Sequence, residues 1–221
     1  FLLFPVCVAT VVIASTVIGM LFLAGLRFSQ FLLLLFIVSA VLVVLAISSP
    51  YRLVRLTTFL NPWADQFNTG YQLTQSLIAF GRGGWFGTGL GESVQKLFYL
   101  PEAHTDFLFA VIVEELGLIG CLVIIALYTL LITRALLIAR RSQLSGAYFS
   151  SFVAYGITFC IGIQAMVNMG VSAGILPTKG LTLPLMSYGG SSLIVNCMMM
   201  ALLLRIDFEH RWQLLGLGAR R

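Results

Sequence analysis

Hydrophobic and polar residues are segregated along this chain into long blocks. Five apolar blocks are each close to the length at which a helix crosses a hydrocarbon core of roughly 30 Å, which takes about 20 residues. They cover residues 6–26, 31–47, 106–131, 149–176 and 184–204, and the second is the shortest. The pattern predicts an all-α, polytopic integral membrane protein in which residues 1–221 form one transmembrane domain.

Composition supports the same class. Hydrophobic residues make up 59% of the chain and charged residues only 10%, a balance foreign to ordinary soluble domains. The net charge of +5 comes from dispersed basic residues, which argues against nucleic-acid binding. The four cysteines lie singly in apolar blocks and are interpreted as small core residues, without metal-ligand spacing. The chain begins inside an apolar block and without Met, so we expect further spans upstream.

The basic residues predict the orientation of the spans. Those that fall on one side of the predicted membrane are Arg27, Arg134, Arg140, Arg141, Arg205, Arg211, Arg220 and Arg221. The positive-inside rule places that side in the cytoplasm. Residues 48–105, a long extracytoplasmic loop, and the short link 177–183 are therefore expected outside.

A polar cluster at residues 102–106 directly precedes the third apolar block. Pro101 predicts that a helix begins just after it, with Thr105 or Asp106 as its cap. Ionisable residues within membrane spans indicate function, and this block carries Glu114 and Glu115. At about 100° per residue, Glu114 faces the same side as Asp106 and is expected to support it. Glu115 faces away, and we expect it to pair with an Arg or a backbone group of another helix.

The outer segment has a turn at residues 61–63 and a predicted surface helix over residues 71–80. Six glycines follow between residues 81 and 91. A phosphate-cradling loop is one interpretation, but the GxxxxGK[ST] motif and a preceding strand are missing. The favoured interpretation is a close-packing turn that lets Arg82 and Lys96 approach a ligand or headgroup.

A second polar constellation covers residues 177–180 and 184–192. Pro184 breaks the helical register, and the serines and glycines after it leave backbone amides available at membrane depth. A tight turn packed through small residues is the alternative to an anion site. Lys179 and the nearby Asp106 favour the anion site. Gln164 and Asn168 could line the same cavity, although bonding between neighbouring helices is the favoured role for such amides.

Several motifs together resemble the SEDS family of bacterial membrane proteins, and within it the division branch more than the elongation branch. The motifs are NPW (61–63), GYQLTQS (70–76), AFGRG (79–83), PEAHTDF (101–107), EELG (114–117), PTKGLTLP (177–184) and SYGGSS (187–192). They occur in order over nearly all of the chain, which corresponds to the second half of a ten-span protein. One departure is Pro5-Val6-Cys7-Val8, where the family pattern would have an acidic residue after the proline.

The resemblance implies a peptidoglycan glycosyltransferase that polymerises lipid II, an undecaprenyl-diphosphate-linked disaccharide peptide, during septal wall synthesis. Asp106 would be the general base. The expected substrate-binding residues are Arg82, Lys96, His104, Glu114, Lys179, Ser187, Gly189, Gly190, Ser191 and Ser192. The expected location is the bacterial inner membrane at the septum, with the active site facing the periplasm or cell exterior.

The resemblance also implies partners and a cofactor. The family is linked to a class B penicillin-binding transpeptidase, to other division proteins and to divalent cations such as Mg²⁺ or Mn²⁺, although no metal-ligand set is visible in the sequence. A lipid II flippase or another transporter is the main alternative, because transporters also use intramembrane carboxylates and broken helices. A non-catalytic division scaffold is the third, and it leaves the outward polar cluster unexplained.

Overall fold

The computed structural model describes residues 3–47, 59–68, 70–101, 103–177 and 180–214, and these contain helices, turns and loops without a strand. Six α-helices within these residues have defined bounds at both ends. They are α1 (Leu3–Leu23), α2 (Phe28–Ile47), α3 (Tyr71–Gly83), α4 (Leu108–Leu144), α5 (Tyr148–Ser172) and α6 (Gly190–Leu214). A 3₁₀ turn at Pro62–Asp65 precedes α3, and a π-helical turn at Gln95–Tyr99 precedes α4.

Three of the described helices are long and apolar enough to cross a membrane, namely α4, α5 and the Gly190–Trp212 part of α6. Shorter apolar stretches, Thr10–Leu23 and Phe28–Val41, lie within α1 and α2, which run for 21 and 20 residues. The predicted class, an all-α polytopic membrane protein, is therefore confirmed. The predicted turn at Pro62 and the helix starting at Tyr71 are confirmed as well.

The helix bounds differ from prediction at three ends. α4 continues to Leu144, beyond the predicted end of the span at residue 131, because Arg134, Arg140 and Arg141 are good helix formers. α5 ends at Ser172, because Gly174 takes φ +71° and the amide of Ile175 donates back to the carbonyl of Gly170. α6 begins after the Pro184 turn rather than at it.

The backbone of α4 breaks at Gly117, where φ is +67° and ψ is −164°. The sequence predicted a span over residues 106–131 and gave no sign of this break. The break divides α4 into a short first part, which follows the polar cluster, and a long second part. Only glycine adopts such a conformation without strain, which fits the glycine found at this position.

The helices form one packed bundle around α4 and α5. These two form an antiparallel hairpin whose turn is closed by Gly146, at φ +82°. α1 packs on α5, where a methyl group added at Gly19 would lie 3.4 Å from the ring of Phe159. Far from the polar cluster, α6 closes the bundle through a core of Ala135, Ile157, Ile161 and Leu203. A second core lies beside the polar cluster and contains Ala79, Leu100, Ala103, Phe107, Ala110, Val111 and Val171.

Candidate active site

The polar cluster forms a tight turn at the start of α4. Ala103 and Phe107 are buried in the adjacent core and fix the turn at both ends. His104 is exposed and Asp106 half-buried between these two anchors. The residue that caps α4 is Phe107, so the prediction that Thr105 or Asp106 occupies the cap position is wrong. The two buried apolar residues, rather than the proline, set where the helix begins.

Gly180 lies directly against the carboxylate of Asp106. A methyl group at Gly180 would be 2.7 Å from Oδ2 of Asp106. Real carbon atoms do not approach that closely, so a side chain at position 180 would displace the carboxylate. The structure thus brings the second polar constellation onto the first, as the sequence predicted for a shared site.

Two amides of α5 hold the constellations together. Asn168 is 2% exposed, and its Nδ2 donates to the carbonyl of Asp106 at 2.9 Å and also to the carbonyl of Leu181. One turn earlier, Nε2 of Gln164 donates to the carbonyl of Thr182 at 3.0 Å. These bonds run to loop carbonyls, which differs from the helix-to-helix bonding that was the favoured interpretation. Asn168 therefore connects the backbone of Asp106 to the loop after Gly180.

The start of α6 is tied to the same place. The amide of Tyr188 donates to the carbonyl of His104 at 3.0 Å, and the two rings lie 5.9 Å apart. The hydroxyls of Thr182 and Ser192 share a hydrogen bond at 3.0 Å. The first turn of α6 is consequently held beside the turn that carries Asp106.

The predicted anion-binding residues divide into two groups. Ser187 is buried, and its hydroxyl accepts from the amide of Leu183, so it closes the Pro184 turn. Gly190 and Ser191 are exposed in the first turn of α6, where backbone N–H groups have no carbonyl of their own helix to bond. Lys179, together with Glu102, Thr178 and residues 48–58, lies outside the described residues, and its role stays a prediction.

Arg82 and Lys96 contact the two glutamates of α4. Nε of Arg82 is 3.7 Å from Oε1 of Glu114, and Nζ of Lys96 is 2.8 Å from Oε1 of Glu115. Lys96 also donates to the carbonyl of Gly91 at 2.6 Å. Glu115 has the structural pairing that was expected, with a lysine in place of the arginine.

Glu114 is enclosed completely, with 0% of its surface exposed. Its Oε2 accepts from the hydroxyl of Ser93 at 2.5 Å and from the amide of Gln95 at 3.3 Å, while Oε1 accepts from the amide of Val94 at 3.3 Å. A buried carboxylate needs such donors to offset its lost hydration. The sequence predicted that Glu114 supports Asp106, but not that the residues before the polar cluster surround it.

The part of the chain that the structure describes offers no cluster of carboxylate or imidazole ligands for a cation. Among the residues that the structure describes, no three His, Cys, Asp or Glu side chains come together. A divalent cation of the kind that the resemblance implies would need most of its ligands from elsewhere, because such ions take six or more oxygen ligands.

Several residues of the site could not be identified from sequence. Gly180 was expected as part of the constellation at 177–180 but not as the direct contact of Asp106, and Tyr188 only as part of the constellation at 184–192. Ser93 lies in a loop without a recognisable pattern. The amides at positions 164 and 168 did give a signal, since polar residues four apart on an apolar helix share one face.

Fold and site together define a polytopic helical membrane protein whose polar site is built where α4 and α6 begin and α5 ends. Residues 2–212 match the model of the FtsW, RodA and SpoVE family, described as cell cycle proteins. The chain belongs to this family, and the expected resemblance is confirmed.

Similar proteins support the same assignment. The chain is 65% identical over 209 residues to a protein of Legionella pneumophila named "Probable peptidoglycan glycosyltransferase FtsW", covering 95% of this chain and 53% of that protein. A protein of the same name from Coxiella burnetii is 62% identical over 201 residues, covering 91% and 54%. The chain thus spans about half the length of these relatives.

A solved structure also matches this fold. It is described as "Structural coordination of polymerization and crosslinking by a peptidoglycan synthase complex", and it aligns with a TM-score of 0.67 and 30% sequence identity. The match covers 90% of this chain and 55% of the other one.

Proposed function

We propose that this chain carries the catalytic site of a peptidoglycan glycosyltransferase that polymerises lipid II during division of a bacterial cell. The observation that carries the proposal is the convergence of Asp106, the Gly180 loop and the start of α6 in one place. The names of the relatives and their high identity support the reaction class.

Asp106 is proposed as the general base. The acceptor sugar hydroxyl forms a bond to the anomeric carbon of the donor, and the bond from that carbon to the polyprenyl diphosphate breaks. The proton of the hydroxyl passes to the Asp106 carboxylate, and the bonding electrons leave with the diphosphate oxygen. Because a neutral hydroxyl is a weak nucleophile, removing its proton in the transition state accelerates the reaction.

The diphosphate is proposed to bind at the first turn of α6. The N–H groups of Gly190, Ser191 and Ser192 lie in the first turn of a helix of 25 residues, and the helix dipole favours an anion there. Lys179 would add a positive charge from the adjacent loop. His104 and Tyr188, whose rings form an exposed aromatic pair, are proposed to contact the sugar or the acceptor.

The proposed partners follow from the same sources. The matched solved structure is described as a complex for polymerisation and crosslinking, which supports a penicillin-binding transpeptidase as partner. The proposed location is the inner membrane at the division septum. α4 leads from the site to the end that carries Arg140 and Arg141, so the positive-inside rule supports a site that faces the periplasm.

Polymerisation in detergent tests the proposed function. The purified protein, supplied with its transpeptidase partner, is expected to convert lipid II into glycan strands in detergent, where no sealed membrane exists. A flippase has no activity to show under those conditions. Translocation of lipid II in sealed vesicles, with no polymer formed in either setting, would favour the flippase and contradict the proposal.

Replacing Gly180 with Ala tests the contact with Asp106. The added methyl group displaces the carboxylate, and a misplacement of about 1 Å can cost roughly 10²-fold in rate. We expect polymerisation to fall by about tenfold or more with little change in melting temperature. In the matched control, Gly81→Ala, the methyl group meets open space, and activity should stay within about twofold. Equal activities of the two variants would show that the contact is irrelevant to the reaction.

A further inference from the structure

The glycine-rich loop between α3 and the π-helical turn has no part in the proposed chemistry, yet its backbone packs in direct contact with the backbone of α4. We propose, on the basis of the role proposed above for Asp106, that Glu114 is a positioning residue for the reaction. Its carboxylate bonds back to residues 93–95, so residues 93–114 form a closed ring that holds the turn with Asp106 in place. The glycine-rich loop attaches this ring to α4.

The ring is closed by the three hydrogen bonds that Glu114 accepts. Ser93 and Gln95, two of the donors, are 1% and 4% exposed, so the closure lies wholly inside the protein. The hydroxyl of Ser93 also accepts from the amide of Lys96 at 3.3 Å, which fixes the start of the π-helical turn. From there the chain reaches buried Leu100 and then the turn that carries Asp106.

The glycine-rich loop completes the break in α4. The amides of Leu118 and Ile119, just after the break, donate to the carbonyls of Gly84 and Trp85 at 2.9 and 3.3 Å. The carbonyls of Glu114 and Glu115, just before it, accept from the amides of Thr88 and Gly89 at 3.0 and 3.1 Å. The loop therefore replaces the backbone partners that the helix loses at its break.

The fit between loop and helix depends on glycines at contact points. A methyl group at Gly83 would lie 2.1 Å from the carbonyl oxygen of Val113, and one at Gly87 would lie 2.0 Å from that of Glu115. A side chain at either position would push the loop away from α4. Since Glu114 sits in the middle of this contact, its carboxylate sets the distance between the loop and the Asp106 turn.

This arrangement explains why the carboxylate is buried so far from solvent. A glutamate that binds substrate would need an open face, whereas Glu114 has none. Its donors come from the chain on the other side of the Asp106 turn, and Arg82 offsets its charge. Losing this carboxylate should loosen the turn without removing any group that touches the substrate.

The test compares Glu114→Gln with Glu115→Gln, two identical changes at adjacent residues. Gln keeps the size of Glu but presents an NH₂ group to donors, which opposes the hydrogen bonds from residues 93–95. We expect Glu114→Gln to speed hydrogen exchange at the amides of Val94 and Gln95 and to lower kcat for lipid II by about 10–100-fold. The KM should stay within about twofold, and Glu115→Gln should leave exchange and kcat within about twofold of the parent.

Ser93→Ala provides a milder second variant, because it removes one hydroxyl and leaves the charge balance intact. It is expected to change exchange and kcat in the same direction as Glu114→Gln, to a smaller extent. This variant keeps the test decisive if Glu114→Gln does not fold.

Three outcomes would overturn the positioning role. A raised KM with unchanged kcat would make Glu114 a substrate-binding residue, and faster exchange with unchanged kcat would make the ring irrelevant to the reaction. Equal losses of kcat in the two glutamate variants would mean that removing any negative charge here lowers activity, whichever residue carries it. None of these outcomes bears on Asp106 as the base, whose own variant is tested separately, and the exchange measurement needs no activity.

Discussion

Asp106→Asn is expected to abolish most polymerisation of lipid II, by at least the 10²–10⁴-fold, roughly, that general-base catalysis contributes. The amide has the size of the carboxylate and cannot take a proton from the acceptor hydroxyl. Asn is as well suited as Asp near a helix start, so the protein should fold and still bind lipid II. The measurement is the initial rate of glycan formation at saturating lipid II, with binding of the lipid measured in parallel.

Asp65→Asn is the matched control for this variant. Asp65 lies in the 3₁₀ turn before α3, and its Oδ1 accepts from Nδ2 of Asn68 at 3.0 Å, a bond that an asparagine can retain. Polymerisation by this control should stay within about twofold of the parent. Near-native polymerisation by a well-folded Asp106→Asn protein would defeat the proposal that Asp106 is the base.

Gly117→Ala should cause a large loss of stability. The backbone conformation at Gly117 costs a residue with a side chain about 1–3 kcal/mol. The methyl group would also lie 2.4 Å from the amide nitrogen of Gly87 and 2.6 Å from the carbonyl of Trp85. Forcing atoms into a packed site costs roughly a further 1–3 kcal/mol.

Gly84→Ala separates the two contributions. Gly84 also has positive φ, at +50°, but a methyl group there meets open space. Thermal unfolding in detergent should show a clearly larger decrease in melting temperature for Gly117→Ala than for Gly84→Ala. Equal decreases would mean that backbone conformation alone matters and that the loop is not packed against the break.

The apolar blocks predicted the helices because a backbone inside lipid must satisfy its own hydrogen bonds, and a helix does so within one segment. They did not predict where helices end. Near Arg140 the chain leaves the apolar pattern but continues as a helix, since helical propensity does not depend on hydrophobicity. Near Pro184 the apolar pattern has already begun, but the helix begins only at Gly190. The turn in between is stabilised by the hydrogen bond from the amide of Leu183 to the hydroxyl of Ser187.

The partners of the site were predictable only in part. Asp106 and the Gly180 loop were expected together because both adjoin the same end of the predicted spans. The surroundings of Glu114 were not, because its donors lie about 20 residues earlier in a loop whose path depends on tertiary contacts. A glycine at position 117 looks from sequence like any packing glycine in an apolar helix, and only the loop against it explains the break.

The loop that completes α4 has a consequence for biosynthesis. Residues 84–89 leave the ribosome before the helix whose break they satisfy, so their amides and carbonyls are available when α4 is inserted. A helix inserted without them would expose unpaired backbone groups, each of which costs several kcal/mol in lipid. Insertion of this helix should therefore depend on the segment synthesised just before it, and a chain from which that segment is deleted should insert α4 poorly or as two separate pieces.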